Sequence, residues 1–282
     1  MKKIIYLALL LASLAARGQN AISYKIKYLP GHKYNTETGS TLDLEMDLLG
    51  DKKELDKFPL PPGMQLPLVI TTEKHSIYVL KTGESKNKML PIVIDFKQAY
   101  LLAKMNDQTE EQKSPLHNVK IFASEKDNGT VLLDSMGKEK TVNSRIAYSA
   151  VMDILECIQS DLKFSKKEVK VGDSFNRWTF LDVPIPEIQL PRIDVKITYK
   201  LIEIKDNNAY FDLIENVDFV SSSPTANLDL QGKGVGKLVY DINNAFVSSL
   251  SSSIAFAFTI KRPGIMLKGK AKLSTTTETV TN

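Results

Sequence analysis

Apolar and polar residues alternate along most of this chain, and that period of two restricts it to a fold built from strands. Ile22, Tyr24, Ile26 and Tyr28 alternate with Ser23, Lys25 and Lys27, and Leu42, Leu44, Met46 and Leu48 alternate with Asp43, Glu45 and Asp47. Side chains on a strand point to opposite faces in turn, so such a pattern buries one face and wets the other. Further strands are predicted over 68–80, 90–104, 119–124, 130–135, 194–205, 209–214, 237–241, 246–250, 254–260 and 266–276. A polar loop is expected after Lys104, with a second helix over 96–112 as the alternative. Asp127-Asn128-Gly129, Asp206-Asn207-Asn208 and Asn243-Asn244 punctuate these runs with residues that accept turn conformations at little cost. Ile254, Phe256, Phe258 and Ile260 share one face of a strand whose other face carries Ala255, Ala257 and Thr259. Two faces without charge predict a strand buried on both sides.

One segment breaks the period. Between 143 and 164, Ala147, Ala150, Val151, Ile154, Leu155, Ile158 and Leu162 recur at intervals of three and four. Arg145, Asp153, Glu156, Gln159 and Asp161 take the opposite side. This is an amphipathic helix of about five turns, capped by Asn143 or Ser144, whose apolar stripe belongs on the sheet. Cys157, the single cysteine, sits at the flank of the stripe, which predicts a partly buried thiol. With one cysteine the fold has no internal disulfide.

The segments on either side of the helix resemble each other. Pro59-Leu60-Pro61 followed by Gln65-Leu66-Pro67 is similar to Pro184-Ile185-Pro186 followed by Gln189-Leu190-Pro191. Gly31-His32-Lys33-Tyr34 is similar to Gly172-Asp173-Ser174-Phe175, and the hairpin over 120–135 to that over 237–249. The order is the same in both halves, as a duplication would leave it. The division expected is a signal over 1–19, an N-terminal β half over 20–142, the connecting helix over 143–164 and a C-terminal β half over 165–282. The fold class expected is mainly β: two related curved antiparallel sheets, an open barrel or clam-like body, with one amphipathic helix packed on them.

The first residues set the address. Lys2 and Lys3 precede an apolar run that begins at Ile4, and Ala12, Ala15, Ala16 and Gly18 lead to a polar break at Gln19-Asn20. That is the make-up of a cleavable export signal, with a cut between Ala16 and Asn20. The run is too short for a membrane-spanning helix, which needs about 20 residues. No cysteine follows it to carry a lipid, and no later run is long enough to span a bilayer. An exported protein, periplasmic or secreted, is expected. Charge points away from nucleic acid. The chain has 37 Lys and Arg against 33 Asp and Glu; removing Lys2, Lys3 and Arg17 leaves 34 against 33, or +1, with no basic stripe.

The early Gly31-x-x-Tyr34 strand, the helix, Val169-Lys170-Val171-Gly172-Asp173-Ser174-Phe175, Tyr199-Lys200-Leu201 and the glycine-spaced strand at Gly232, Gly234 and Gly236 together resemble a domain-of-unknown-function family of secreted β-rich proteins from Bacteroidota. The resemblance implies export and a β-rich fold; it implies no activity and no site residues. Asn176-Arg177-Trp178 and the proline-rich insert before Leu68 depart from the family pattern.

Motifs for catalysis are missing from the sequence. Gly232-Lys233-Gly234-Val235-Gly236-Lys237 has neither the spacing of a phosphate loop nor a helix after it; its glycines leave one strand face bare for something to pack closely. His32, His75 and His117 have no metal-binding spacing, and no Gly-x-Ser-x-Gly elbow occurs. No cofactor, metal or catalytic residue is expected. The residues proposed for ligand contact are Gly232, Gly234, Gly236, Phe256 and Phe258. Asp134-Ser135-Met136 resembles an O-glycosylation signal of exported Bacteroidota proteins, which nominates Ser135; Asn128-Gly129-Thr130 has N-glycosylation spacing. The reading is a non-enzymatic protein that binds a lipid or other apolar small molecule on a curved sheet. The alternative is an envelope structural or assembly protein that binds a protein partner through its sheet edges.

Overall fold

The computed structural model describes residues 21–50, 66–105, 108–137, 144–181, 193–222 and 227–282. The expected export signal, the expected cap at Asn143 and the two proline runs up to Gln65 and over 184–191 lie outside them.

Among the described residues the fold is mainly β, with two antiparallel sheets and one helix. In chain order the strands are β1 (Ala21–Lys25), β2 (Lys33–Gly50), β3 (Leu68–Thr82), β4 (Met89–Met105), β5 (Gln108–Lys113), β6 (Lys120–Lys126) and β7 (Val131–Gly137). After helix α1 (Ser144–Lys163) come β8 (Ser165–Lys170), β9 (Ser174–Leu181), β10 (Ile193–Lys205), β11 (Asn208–Ser222), β12 (Asn227–Asp241), β13 (Phe246–Arg262) and β14 (Ile265–Thr281). β1 pairs with β8 in a small sheet. The other twelve strands form one sheet of order β7-β6-β4-β3-β2-β14-β13-β12-β11-β10-β9, with β5 also on β4. It is not closed into a barrel. The two halves are its wings, and they are joined where β14 runs along β2 from the pair Ile265 and Gly50 to the pair Thr281 and Tyr34.

Both wings are laid down in the same order. Each starts with a short strand, β1 or β8, and these two pair with each other. A glycine in the left-handed region then turns the chain, Gly31 at φ 71° and Gly172 at φ 94°. Each turn docks on a strand of its own wing in the same way. The Gly31 amide donates to Gly83 O (3.3 Å) and the Thr82 amide to His32 O (3.0 Å); the Gly172 amide donates to Leu201 O (2.7 Å) and the Leu201 amide to Asp173 O (3.0 Å). The next hairpins turn on Asn87-Lys88 and Asp206-Asn207, all four at positive φ. This repeated geometry is what a duplication predicts, and it agrees with the correspondence of Gly31 with Gly172.

Alternation became burial as expected on β2, where Leu42, Leu44, Met46 and Leu48 are buried and Asp43, Glu45 and Asp47 exposed. Two expectations need correction. Residues 108–113 form a strand, not a loop: the sequence Gln-Thr-Glu-Glu-Gln-Lys has no apolar face, and pairing with the edge of β4 supplies the order. Ala255 and Ala257 are exposed, so β13 is buried on one face only; small side chains there leave a shallow groove on the outer surface, of about 510 Å³, rather than a second packed layer.

The inner face of the sheet carries three apolar clusters. One, around Leu44, Leu230, Phe256 and Phe258, fills one end of the strands. At the other end, Val151 and Leu155 of α1 pack on Leu80, Ile92, Ile94, Phe96 and Ile121 of the N-terminal wing. β1 serves the C-terminal wing. The Tyr24 ring, almost wholly buried, lies 4.9–6.2 Å from the rings of Phe164, Phe175, Tyr199, Phe211 and Tyr240. The sheet thus has one filled end and one end roofed by α1 and β1.

Candidate ligand cavity

Between the filled end and the roof lies a cavity of about 770 Å³. Residues from β4 and from β9, on opposite sides of the sheet, line it together, so the sheet curves around it. Ile26, Tyr28, Ile94, Phe96, Ile197, Leu238, Leu250, Ile254 and Leu273 give it apolar walls. Thr38, Ser76, Ser252, Thr275 and Thr277 add a belt of hydroxyls across the middle of the sheet. Burial pushes the phenols of Tyr24 and Tyr28 well above their ordinary pKa, so they remain uncharged.

Among the described residues, four charged ones line the cavity: Asp153 and Asp161 on α1, Arg177 on β9 and Glu215 on β11. Arg177 and Asp161 form an ion pair, and Arg177 Nη2 also donates to Ser160 Oγ (3.3 Å). The guanidinium lies over the Phe164 ring, 5.3 Å from its centre. This pair fastens α1 to the β9 edge of the sheet. A cleft of about 190 Å³ lies outside it, and Cys157, Asp161, Arg177 and Thr179 line both the cleft and the cavity. The cleft is therefore the place where solvent and the interior come closest along this seam.

Glu215 is the inner exception on β11. Its neighbours on that face, Phe211, Leu213 and Val217, are apolar, and it is itself 6% exposed. It pairs in register with Gly234 of β12. A Cβ on Gly234 would fall 2.5 Å from Glu215 Oε2. The bare glycine is the berth in which the carboxyl lies, within hydrogen-bonding reach of the Ser252 hydroxyl. Burial raises its pKa above the ordinary value, and the Ser252 hydrogen bond works the other way.

The residues proposed for ligand contact divide. Gly234 lies between two cavity-lining residues, Glu215 and Ile254. Gly232 and Gly236 are bare for close packing of β13, with Phe256 Cβ and Ser251 O within 2.6 Å of where their Cβ atoms would stand. Phe256 and Phe258 belong to the filled end, the Phe258 ring lying over Gly269. Ser135 is exposed on β7 and Asn128 in the turn before it. Cys157 is exposed rather than partly buried, because it faces the seam instead of the apolar stripe. Among the described residues no group of three or more His, Cys, Asp or Glu side chains could hold a metal ion.

Sequence reasoning missed Glu215, Arg177 and Asp161 as site residues. For Glu215 a signal existed. The phase of Ala209, Phe211 and Leu213, carried on by two, puts 215 inside; the exposed Ile214 obscured it.

No family model and no curated protein matches the chain. Two of the solved structures it is similar to are a lipovitellin structure concerned with lipid–protein interactions and the Pseudomonas aeruginosa protein OccK5 (OpdH). The first is 11% identical with a TM-score of 0.45, over 88% of this chain and 25% of that one. The second is 5% identical with a TM-score of 0.27, over 87% of this chain and 98% of that one. Neither likeness is strong enough to carry a function or a ligand across. No helix among the described residues is long and apolar enough to cross a membrane.

Proposed function

We propose that this is an exported, non-enzymatic binding protein that carries a lipid or other apolar small molecule between its curved sheet and its helix. The observation that supports this is the cavity of about 770 Å³. Pockets that hold small molecules are commonly about 300–1,000 Å³, with apolar walls and a few placed polar groups. A sheet with a packed layer over its whole inner face would leave no such space. Here one end is filled by side chains, while the other is covered by α1 and β1 and remains hollow.

Export fits this reading, since a carrier of apolar molecules is needed where they must cross water. The test is native mass spectrometry of the protein purified from its own cell envelope. A co-purifying small molecule, lost on organic extraction, is the expected result. A clean apo mass from gently prepared protein counts against a carrier and favours a partner protein of the envelope. Fractionation of producing cells, with the mature N-terminus sequenced, checks the address.

A further inference from the structure

A purely apolar ligand needs no carboxyl in its pocket, yet this cavity keeps one. Glu215 occupies a face that is otherwise core, and burying a carboxylate costs several kcal/mol unless partners offset it. Replacing it with leucine would be the simple way to finish the wall. Instead two positions are fitted to it. Gly234, bare both for Ile254 of β13 and for the carboxyl, leaves the space in which the carboxyl lies across β12, and Ser252 stands within reach on β13. A carboxyl has two oxygens and takes more than one donor, so Ser252 does not exhaust it.

The other charges around the cavity agree in sign. Of the four charged residues, Asp153, Asp161 and Glu215 are acids and Arg177 is the base. Arg177 is engaged by Asp161. Asp153 is exposed, at the rim, and Glu215 is the charge held within. A carboxylate or phosphate head placed beside Glu215 would meet like charge in a poorly screened setting. A head that donates hydrogen bonds would meet an acceptor, and the wall of the same cavity carries the hydroxyls of Thr38, Ser76 and Thr275.

We infer that the ligand is an amphiphile whose polar end donates hydrogen bonds, as an alkyl alcohol or an alkylammonium does, and that Glu215 receives that end. This rests on the reading of the cavity as a ligand site. The apolar walls at Phe96, Leu238 and Ile254 take the tail. The donor is either a neutral hydroxyl or a protonated amine; both satisfy the carboxyl, and the amine also balances its charge.

The test uses three probes with one tail: dodecan-1-ol, dodecylammonium and dodecanoate, each below its micellar concentration. Their displacement of the neutral fluorophore N-phenyl-1-naphthylamine from the purified protein is followed at neutral pH. The alcohol, the amine or both are expected to displace it at concentrations about tenfold or more below dodecanoate, the size of effect that one hydrogen bond to a charged group supplies. Glu215→Gln keeps the shape of the side chain and is expected to close that gap, read as the ratio of the three probes' displacement on the variant itself, since an amide can also donate to a carboxylate. Which of the two preferred probes is stronger tells hydroxyl from ammonium. Equal displacement by all three, or a preference for dodecanoate, overturns the inference and leaves the cavity reading standing. A gap that persists in Glu215→Gln overturns the role of Glu215. Wild-type protein that fails to bind the fluorophore overturns the cavity reading and this inference with it. The ranking on wild-type protein decides the headgroup question even if the variant does not fold.

Discussion

Glu215 and Gly234 act as one unit, and each has its own consequence. Burial raises the folded-state pKa of Glu215 above the ordinary glutamate value of 4.5. The folded protein therefore holds this proton more tightly than the unfolded chain. The resulting stability is present in full below the ordinary value and is lost as pH rises through the raised one. Glu125, also raised by burial, adds to the same trend, and its Oε2 has no hydrogen-bond partner among the described residues. Glu215→Gln removes one part of the loss. Its thermal midpoint is expected above wild type at pH 7 and level with it near pH 4, by calorimetry at both pH values. A gain of equal size at both would show that charge at 215 is not the cause. Gly234→Ala brings a Cβ within 2.8 Å of Ile254 Cβ as well as onto the carboxyl. It is expected to lower stability by about 1–3 kcal/mol in denaturant titrations, as overpacking does.

The helix is held unequally along its two sides. Toward the N-terminal wing it is fixed by buried apolar contact, with Val151 fully buried and Leu155 nearly so. Toward β9 it is fixed by an ion pair whose Asp161 side chain is 44% exposed. Leu155→Ala is expected to lower the unfolding free energy by about 2–5 kcal/mol. Arg177→Ala is expected to lower it by about 1 kcal/mol or less, because a partly wet pair contributes little. Its larger effect is expected on exchange: release of bound fluorophore in stopped-flow measurements becomes faster, since the seam loses its fastening. If Arg177→Ala leaves the release rate unchanged, ligand passes elsewhere.

At the scale of the molecule, the joint between β2 and β14 makes one sheet of two wings. Each of these strands is paired along both sides, whereas β7 and β9 are the edges. Hydrogen exchange read by mass spectrometry is expected to be slowest in β2, β13 and β14, and fastest in β5, β7 and β9. Removing 265–282 would leave β2 and β13 as long unpaired edges with apolar faces. That variant is expected in aggregates on expression, which solubility and gel filtration would show. A soluble monomer of the shortened chain would mean that the wings are independent.

The sequence by itself determined the elements. Alternation such as Leu42 to Leu48 and the three–four spacing of Ala147 to Leu162 are local, and each sets which face of its element is apolar. The correspondence of Gly31 with Gly172 was local too, and both turns came out alike. What local pattern does not contain is how far an apolar face will be filled. Ala255 and Ala257 look like core by residue type and are wet, because nothing among the described residues packs on the outer face of β13. Residues 108–113 have no apolar face and form a strand, because β4 offered an edge. Glu215 shares the inward phase of Phe211 and Leu213, but that its side borders a hollow and not a filled core is decided by the curvature of the sheet. The cavity is a property of the space between wings, roof and filled end. Its walls come from segments more than 200 residues apart, so only the tertiary structure decided it.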